Sequence, residues 1–198
     1  MKRYLKALVL ILTLPIVAVE VIRDNAKKSI AFAVLALAVL VCAFMPEKEV
    51  VITDLSAAFN TGNLRTKTEY IVIHHTAGSS DANINAICQI HYGQNKWSTV
   101  GYHYYIDKEG CIYRLKSDDE VAPHTYGYNS NAIGIVCAGN FNNAAMPDAQ
   151  YNALVALTKK LSKKYNIPTD RVKRHCDLNN TECPGRYFDV AKFVDDID

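Results

Sequence analysis

The stretch EYIVIHHTAG, Glu69 to Gly78, constrains this chain more than any other. Tyr70 to His75 alternates through β-branched residues as a strand does, and it ends in two adjacent histidines. Successive side chains on a strand point to opposite faces, so His74 and His75 cannot both serve one site without a bulge. The next residues, TAGSSD, are loop chemistry ending at Asp81, a candidate helix cap. From Ala82 to Tyr92, the positions Ile84, Ile87, Cys88 and His91 recur at helical spacing and predict one amphipathic helix.

Further along, STVGYHYYIDKEGCIYRL predicts a hairpin in which Tyr102 to Ile106 alternates, DKEG turns and Cys111 to Leu115 returns. NAIGIVCAG, Asn131 to Gly139, predicts a strand buried on both faces. Asp148 is the expected cap of a helix from about Ala149 to Tyr165, with apolar positions at Tyr151, Leu154, Val155, Leu157 and Leu161 and an end at Pro168. A short strand over Arg171 to Arg174 leads to His175, and Phe188 to Val194 predicts a last short helix. Strands interleaved with helices predict an α/β fold, with a mixed central β-sheet flanked by helices.

Upstream the composition changes. Two apolar stretches run from Ala7 to Val19, broken by Pro15, and from Ile30 to Met45, the second without a charge. At about 1.5 Å per residue the second covers about 24 Å, a little under the roughly 30 Å hydrocarbon core of a bilayer. Lys2, Arg3 and Lys6 precede the first stretch, Arg23, Lys27 and Lys28 precede the second, and Glu47 and Glu49 follow it. The positive-inside rule then keeps the basic residues cytoplasmic and sends the remainder across the membrane. The expectation is that residues 1–46 are N-terminal hydrophobic helices acting as an anchor or signal region. Residues 47–68 are then a charge-rich linker and lead-in, and the ordered domain occupies 69–198 on the outer face of the cytoplasmic membrane, periplasmic or cell-wall side. A cleaved signal peptide and a two-helix hairpin that returns the domain to the N-terminal side are the alternatives.

A net charge of +2, with Lys and Arg scattered along the chain, excludes the electrostatic footprint of a nucleic-acid binder. Six cysteines at irregular spacing do not make a disulfide scaffold for a domain of this size, although one bridge involving Cys88 stays open. Cys111 and Cys137 lie in strand-like segments and are expected to be small buried hydrophobes.

The second informative piece is RHCDLNNTECPG, Arg174 to Gly185, where a histidine leaves a strand and a cysteine arrives just before Pro-Gly. Zinc accepts His nitrogen and Cys thiolate, and a catalytic zinc takes three protein ligands with a fourth position open. His74, His175 and Cys183 would form such a set, although each alone also fits an ordinary core or surface residue.

Four segments taken together are IVIHHTAG, IHYGQNKWSTVGYHYYIDKEGCIY, APHTYGYNSNAIGIVCAGNFN and HCDLNNTECPG. In order and separation they resemble the zinc-dependent N-acetylmuramoyl-L-alanine amidases, the superfamily shared by phage lysozyme-type amidases and peptidoglycan recognition proteins. The resemblance covers Glu69 to the end of the chain. It implies that superfamily's fold, Zn²⁺ as cofactor, peptidoglycan or a muropeptide as substrate, and hydrolysis of the amide between N-acetylmuramic acid and the L-alanine of the stem peptide. A peptidoglycan-binding protein without hydrolysis is the alternative; such proteins usually lack the cysteine ligand, and Cys183 is present here.

The same match implies the roles of individual residues. His74 is the ligand of its pair and His75 a wall residue; His175 is a ligand and Cys176 a bystander; Cys183 is the third ligand. Tyr102 matches the family's active-site tyrosine, which orients the attacking water and the oxyanion. Thr181 matches a position that is lysine in the phage enzymes and threonine in recognition proteins that keep amidase activity, so it donates a hydrogen bond but carries no charge. His124 matches a family histidine near the cleft and is expected to contact substrate or stabilise charge. Glu182 adjoins Cys183 and is expected to point away from the metal, while Asp177 is expected to support the His175 loop. Trp97, Tyr126, Tyr128 and Asn129 are expected along a glycopeptide groove, and His91 and His103 as packing residues.

Overall fold

The computed structural model describes residues 50–59, 62–80 and 82–198. The expected N-terminal hydrophobic helices and the membrane anchor lie outside the described residues, as does the candidate cap Asp81. Among the described residues no helix is long and apolar enough to cross a membrane.

Six strands form one sheet: β1 (Ile52–Asp54), β2 (Tyr70–His75), β3 (Tyr104–Ile106), β4 (Ile112–Arg114), β5 (Ala132–Cys137) and β6 (Val172–Arg174). Their order across the sheet is β1-β4-β3-β5-β2-β6. Only β3 and β4 pair antiparallel, as the hairpin around DKEG requires; the remaining neighbours are parallel, and the sheet is mixed as expected. The helices are α1 (Ile84–Cys88), which continues as a π-helical turn over Gln89–Gln94, then α2 (Asp148–Tyr165) and α3 (Val190–Ile197).

Side-chain alternation divides the core between two faces of the sheet. Ile71, Ile73, Ile133 and Ile135 pack with Leu154, Leu157 and Leu161 of α2 and with Phe193 and Ile197 of α3. Tyr105, Val136, Ala138 and Leu115 belong to a second cluster with Ile87 of α1 and Val100. Every residue of β5 is buried, which is what a central strand covered on both faces demands. The register sets the functional geometry: Ile73 of β2 pairs with Arg174 of β6, so His175 leaves its strand level with His74.

Several boundaries differ from those read in the sequence. Order begins before Glu69, because Ile52–Asp54 adds a parallel edge strand to β4. Only Ile52 in that strand is partly covered, so it carries no alternation to read. Arg65 in the same lead-in is buried and sends its guanidinium to the carbonyls of Ala132 and Asp118. Helix α1 starts at Ile84 with Asn83 Oδ1 accepting from the Ala86 N–H at 3.2 Å. Asp148 lies inside α2 and makes no side-chain cap. That helix ends at Asn166, whose left-handed φ of 54° breaks the spiral ahead of Pro168. The last helix is shifted to Val190–Ile197, capped by Asp189 through the Lys192 N–H at 3.0 Å. Cys137 is buried, but Cys111 is exposed in the hairpin turn, where its N–H donates to Asp107. The five described cysteines are all free.

Candidate metal centre

His74, His175 and Cys183 come from three separate segments, and their ligand atoms all lie within 4.8 Å of one another. His74, the penultimate residue of β2, turns its ring toward Tyr102 and His124. His75 points the other way, packs on Phe141 and accepts the Phe141 N–H through Nδ1 at 3.1 Å. The sheet's alternation therefore turns the two histidine side chains to opposite faces, as the pleat predicts.

Cys183 Sγ stands 3.7 Å from His74 Nδ1. A tetrahedral zinc with bonds of about 2.0 Å to nitrogen and 2.3 Å to sulfur spaces those two atoms by about 3.5 Å. The donor chemistry fits as well: the sulfur accepts the His75 N–H at 3.3 Å, an interaction that favours thiolate. Burial chiefly, against the His75 N–H and with help from Cys176, pushes the Cys183 thiol up to about 12, so a cation is what would hold it deprotonated near neutrality. His74 is held well below its ordinary pKa, chiefly by burial and then by His124, His175 and His75, and is neutral at physiological pH. Burial lowers His175 also, opposed by its hydrogen bond to Asn179.

The tautomer of His74 follows from a fixed acceptor two groups away. The Ala132 carbonyl, which can only accept, lies 3.3 Å from His124 Nε2 and places that ring's proton there. His124 Nδ1 is then an acceptor, 3.1 Å from His74 Nε2, with Thr125 Oγ1 closing the triangle at 2.8 and 3.3 Å. His74 consequently carries its proton on Nε2 and turns the Nδ1 lone pair toward Cys183. His124 is buried with its ring against His74 Nε2. Gly134 makes this possible, since a Cβ there would sit 2.6 Å from His124 Cγ. Gly185 has the same necessity beside Cys183: its φ is +110° and a Cβ would collide with the Phe141 backbone.

Tyr102 lies with its ring centroid 5.2 Å from that of His74, and burial, aided by the nearby Cys183, pushes its hydroxyl well above its ordinary pKa. It stays protonated and is a donor. Behind it, His91 in the π-helical turn stacks on Trp97 at 4.8 Å and accepts the Gly101 N–H at 3.1 Å. His103 accepts the Gly134 N–H at 3.0 Å and meets the Glu120 carbonyl at 2.9 Å, so both histidines are packing residues. Thr181 Oγ1 accepts the Cys183 N–H at 3.2 Å, which leaves its hydroxyl proton to donate elsewhere.

Other expectations are redistributed. Glu182 does point away, taking a hydrogen bond from Asn142 at 2.9 Å. Asp177 clasps Arg174, through the backbone N–H at 2.8 Å and the guanidinium at 2.6 Å, and so steadies the loop without touching the imidazole. Tyr128 stacks edge-on against Tyr70 at 5.3 Å, and Asn129 Oδ1 accepts the N–H groups of His124 and Thr125 at 2.9 and 2.7 Å; both residues are half-buried. Trp97 and Tyr126 remain exposed. The residue that sequence reasoning missed is Asn179, whose Oδ1 lies 3.2 Å from His175 Nε2. Its only signal in the sequence is its place four residues after His175.

Residues 64–186 match the family model described as N-acetylmuramoyl-L-alanine amidase. Peptidoglycan-recognition protein SC2 of Drosophila melanogaster is 28% identical over 165 residues, covering 77% of this chain and 90% of that protein. The endolysin of Enterobacteria phage K11 is 29% identical over 137 residues, covering 66% of this chain and 87% of its own. Among solved structures, the endolysin N-acetylmuramoyl-L-alanine amidase LysCS from Clostridium intestinale superposes with a TM-score of 0.66 at 35% identity, over 75% of this chain and 95% of that one.

Proposed function

The chain belongs to the N-acetylmuramoyl-L-alanine amidase family, and from that premise we propose that it is a zinc-dependent peptidoglycan hydrolase. The bond cleaved is the amide between N-acetylmuramic acid and the L-alanine of the stem peptide. The observation that carries this reading is the convergence of His74, His175 and Cys183 within 4.8 Å. Relatives that include recognition proteins make binding alone the competing reading, and the intact cysteine ligand favours hydrolysis.

His74 Nδ1, Cys183 Sγ and His175 would hold the zinc, which when bound polarises the scissile carbonyl and activates water at neutral pH. The protein supplies the remainder. Tyr102, protonated and beside His74, donates to the oxygen on which negative charge develops. The Thr181 hydroxyl accepts the Cys183 N–H and keeps its own proton free to donate to substrate. His124 and Thr125 hold His74 in one tautomer, and the His75 N–H steadies the sulfur. The exposed rings of Trp97 and Tyr126 offer faces to sugar or peptide.

We assign the N-terminal residues 1–46 the role of anchoring this domain on the outer face of the cytoplasmic membrane. The support is the charge-free run Ile30 to Met45 preceded by basic residues. Protease added to intact spheroplasts would digest the domain if this is right and spare it if the domain is cytoplasmic.

The test of the central reading is metal dependence. Chelator-treated protein should lose release of stem peptides from dye-labelled peptidoglycan and regain it with zinc, while Cys183→Ser should stay inactive after zinc is returned. Full activity in chelator, or in Cys183→Ser, would overturn the proposal.

A further inference from the structure

We propose that Asn179 is the positioning residue for His175, fixing which ring nitrogen faces the metal. The inference rests on the zinc reading above, and it starts from an accounting of one side-chain amide. Asn179 Nδ2 donates to the Tyr126 carbonyl at 3.2 Å and to the Leu178 carbonyl at 2.8 Å. Both partners can only accept, so the amide nitrogen must face them and Oδ1 must face the other way. There it meets His175 Nε2 at 3.2 Å. An amide oxygen only accepts; the His175 proton is therefore on Nε2, and the lone pair is on Nδ1.

The two imidazole ligands are thus set by parallel devices built from different parts. Ala132 fixes His124, which fixes His74; the Tyr126 and Leu178 carbonyls fix Asn179, which fixes His175. Asp177, the carboxylate nearest in sequence, is fully engaged with Arg174 and leaves this role open. A neutral amide suits the position. It orients the ring without adding a second negative charge to a site that already holds a thiolate. Because Tyr126 belongs to the segment before β5, the amide also ties a stretch carrying an exposed aromatic ring to the His175 loop.

Zinc affinity of the full chain, measured by competition with a fluorescent chelator, separates this from a general structural role. Asn179→Ala removes the acceptor and should weaken zinc binding about 10–100-fold. Asn179→Asp keeps an oxygen for Nε2–H while losing the bonds to the Tyr126 and Leu178 carbonyls, and should bind zinc within a few-fold of wild type. It also carries the test if the alanine variant does not fold. Cobalt-substituted protein gives a second readout, since the visible band should shift in Asn179→Ala and not in Asn179→Asp. Wild-type affinity in Asn179→Ala, or equal losses in the two variants, would overturn the assignment. Failure of the wild type itself to bind one zinc would instead remove the metal reading on which it rests.

Discussion

Replacing Gly134 by alanine would place a methyl group 2.6 Å from His124 Cγ, 2.8 Å from Cδ2 and 2.9 Å from Nδ1. Unstrained carbon atoms sit about 3.5–4.0 Å apart, so ring and methyl must separate by roughly 1 Å. The strand is not free to give way. Gly134 pairs with Val72 in the β2 ladder, its N–H donates to His103 Nδ1 at 3.0 Å, and its carbonyl accepts the His103 N–H at 3.0 Å. The ring moves instead, and it no longer meets His74 Nε2 at 3.1 Å. Overpacking of this kind costs about 1–3 kcal/mol of stability, and loss of a ligand's outer hydrogen bond costs about 10–100-fold in metal affinity. Urea unfolding and chelator competition measure the two effects separately. Gly93→Ala is the matched control, since a Cβ there meets nothing within 4 Å. The double variant Gly134→Ala/His124→Ala relieves the clash but not the missing acceptor; stability should recover relative to the single variant while zinc affinity stays low. Wild-type stability together with wild-type zinc affinity in Gly134→Ala would refute the reasoning.

Tyr102→Phe should cut turnover about 10²–10³-fold, the effect of removing one positioned donor, with zinc affinity unchanged; a parallel fall in zinc affinity would contradict the role. Burial first, and then Arg65, lowers the His103 pKa from 6.5 to about 3, so unfolding takes up a proton between those values. That contribution is full above pH 6.5 and declines as pH falls toward 3, by about 1.4 kcal/mol per pH unit. The urea midpoint of His103→Asn should accordingly fall less steeply from pH 6.5 to 4 than that of wild type, and an identical slope would contradict the assignment. Asp118, buried, accepts from Tyr104, from Lys164 at 2.8 Å and from Tyr165 at 2.7 Å; Asp118→Ala should cost about 3 kcal/mol in unfolding experiments. A loss below about 1 kcal/mol would show that those donors find other partners.

Which parts of this molecule are legible in its sequence follows from how local their causes are. Strands β2 and β5 announce themselves, because parallel strands covered on both faces must be runs of β-branched and apolar residues. The facing of His74 and His75 follows from the pleat alone. The three candidate ligands are legible through the order of four motifs, since no single spacing distinguishes His175 or Cys183 from ordinary residues. What stays hidden depends on partners distant in sequence. β1 exists because β4 offers an edge, and Arg65 is buried because carbonyls of Ala132 and Asp118 converge on it. The packing of His124 against His74 depends on Gly134, ten positions later, which leaves room for its ring. Asp177 is the carboxylate one expects to support a histidine, yet Arg174 takes it and the neutral Asn179 fills the place. Such substitutions of role are decided by loop geometry, which composition does not encode.

Product chemistry on purified peptidoglycan tests the central claim most directly. Zinc-loaded wild-type protein, with Cys183→Ser in parallel, is incubated with the wall, and the new termini are identified by mass spectrometry and amino-group labelling. The account predicts stem peptides with free L-alanine amino groups and glycan strands with free lactyl carboxylates, from the wild type alone. New reducing sugar ends, cleavage within the stem peptide, or wall binding without any new terminus by a folded, zinc-loaded protein would contradict it.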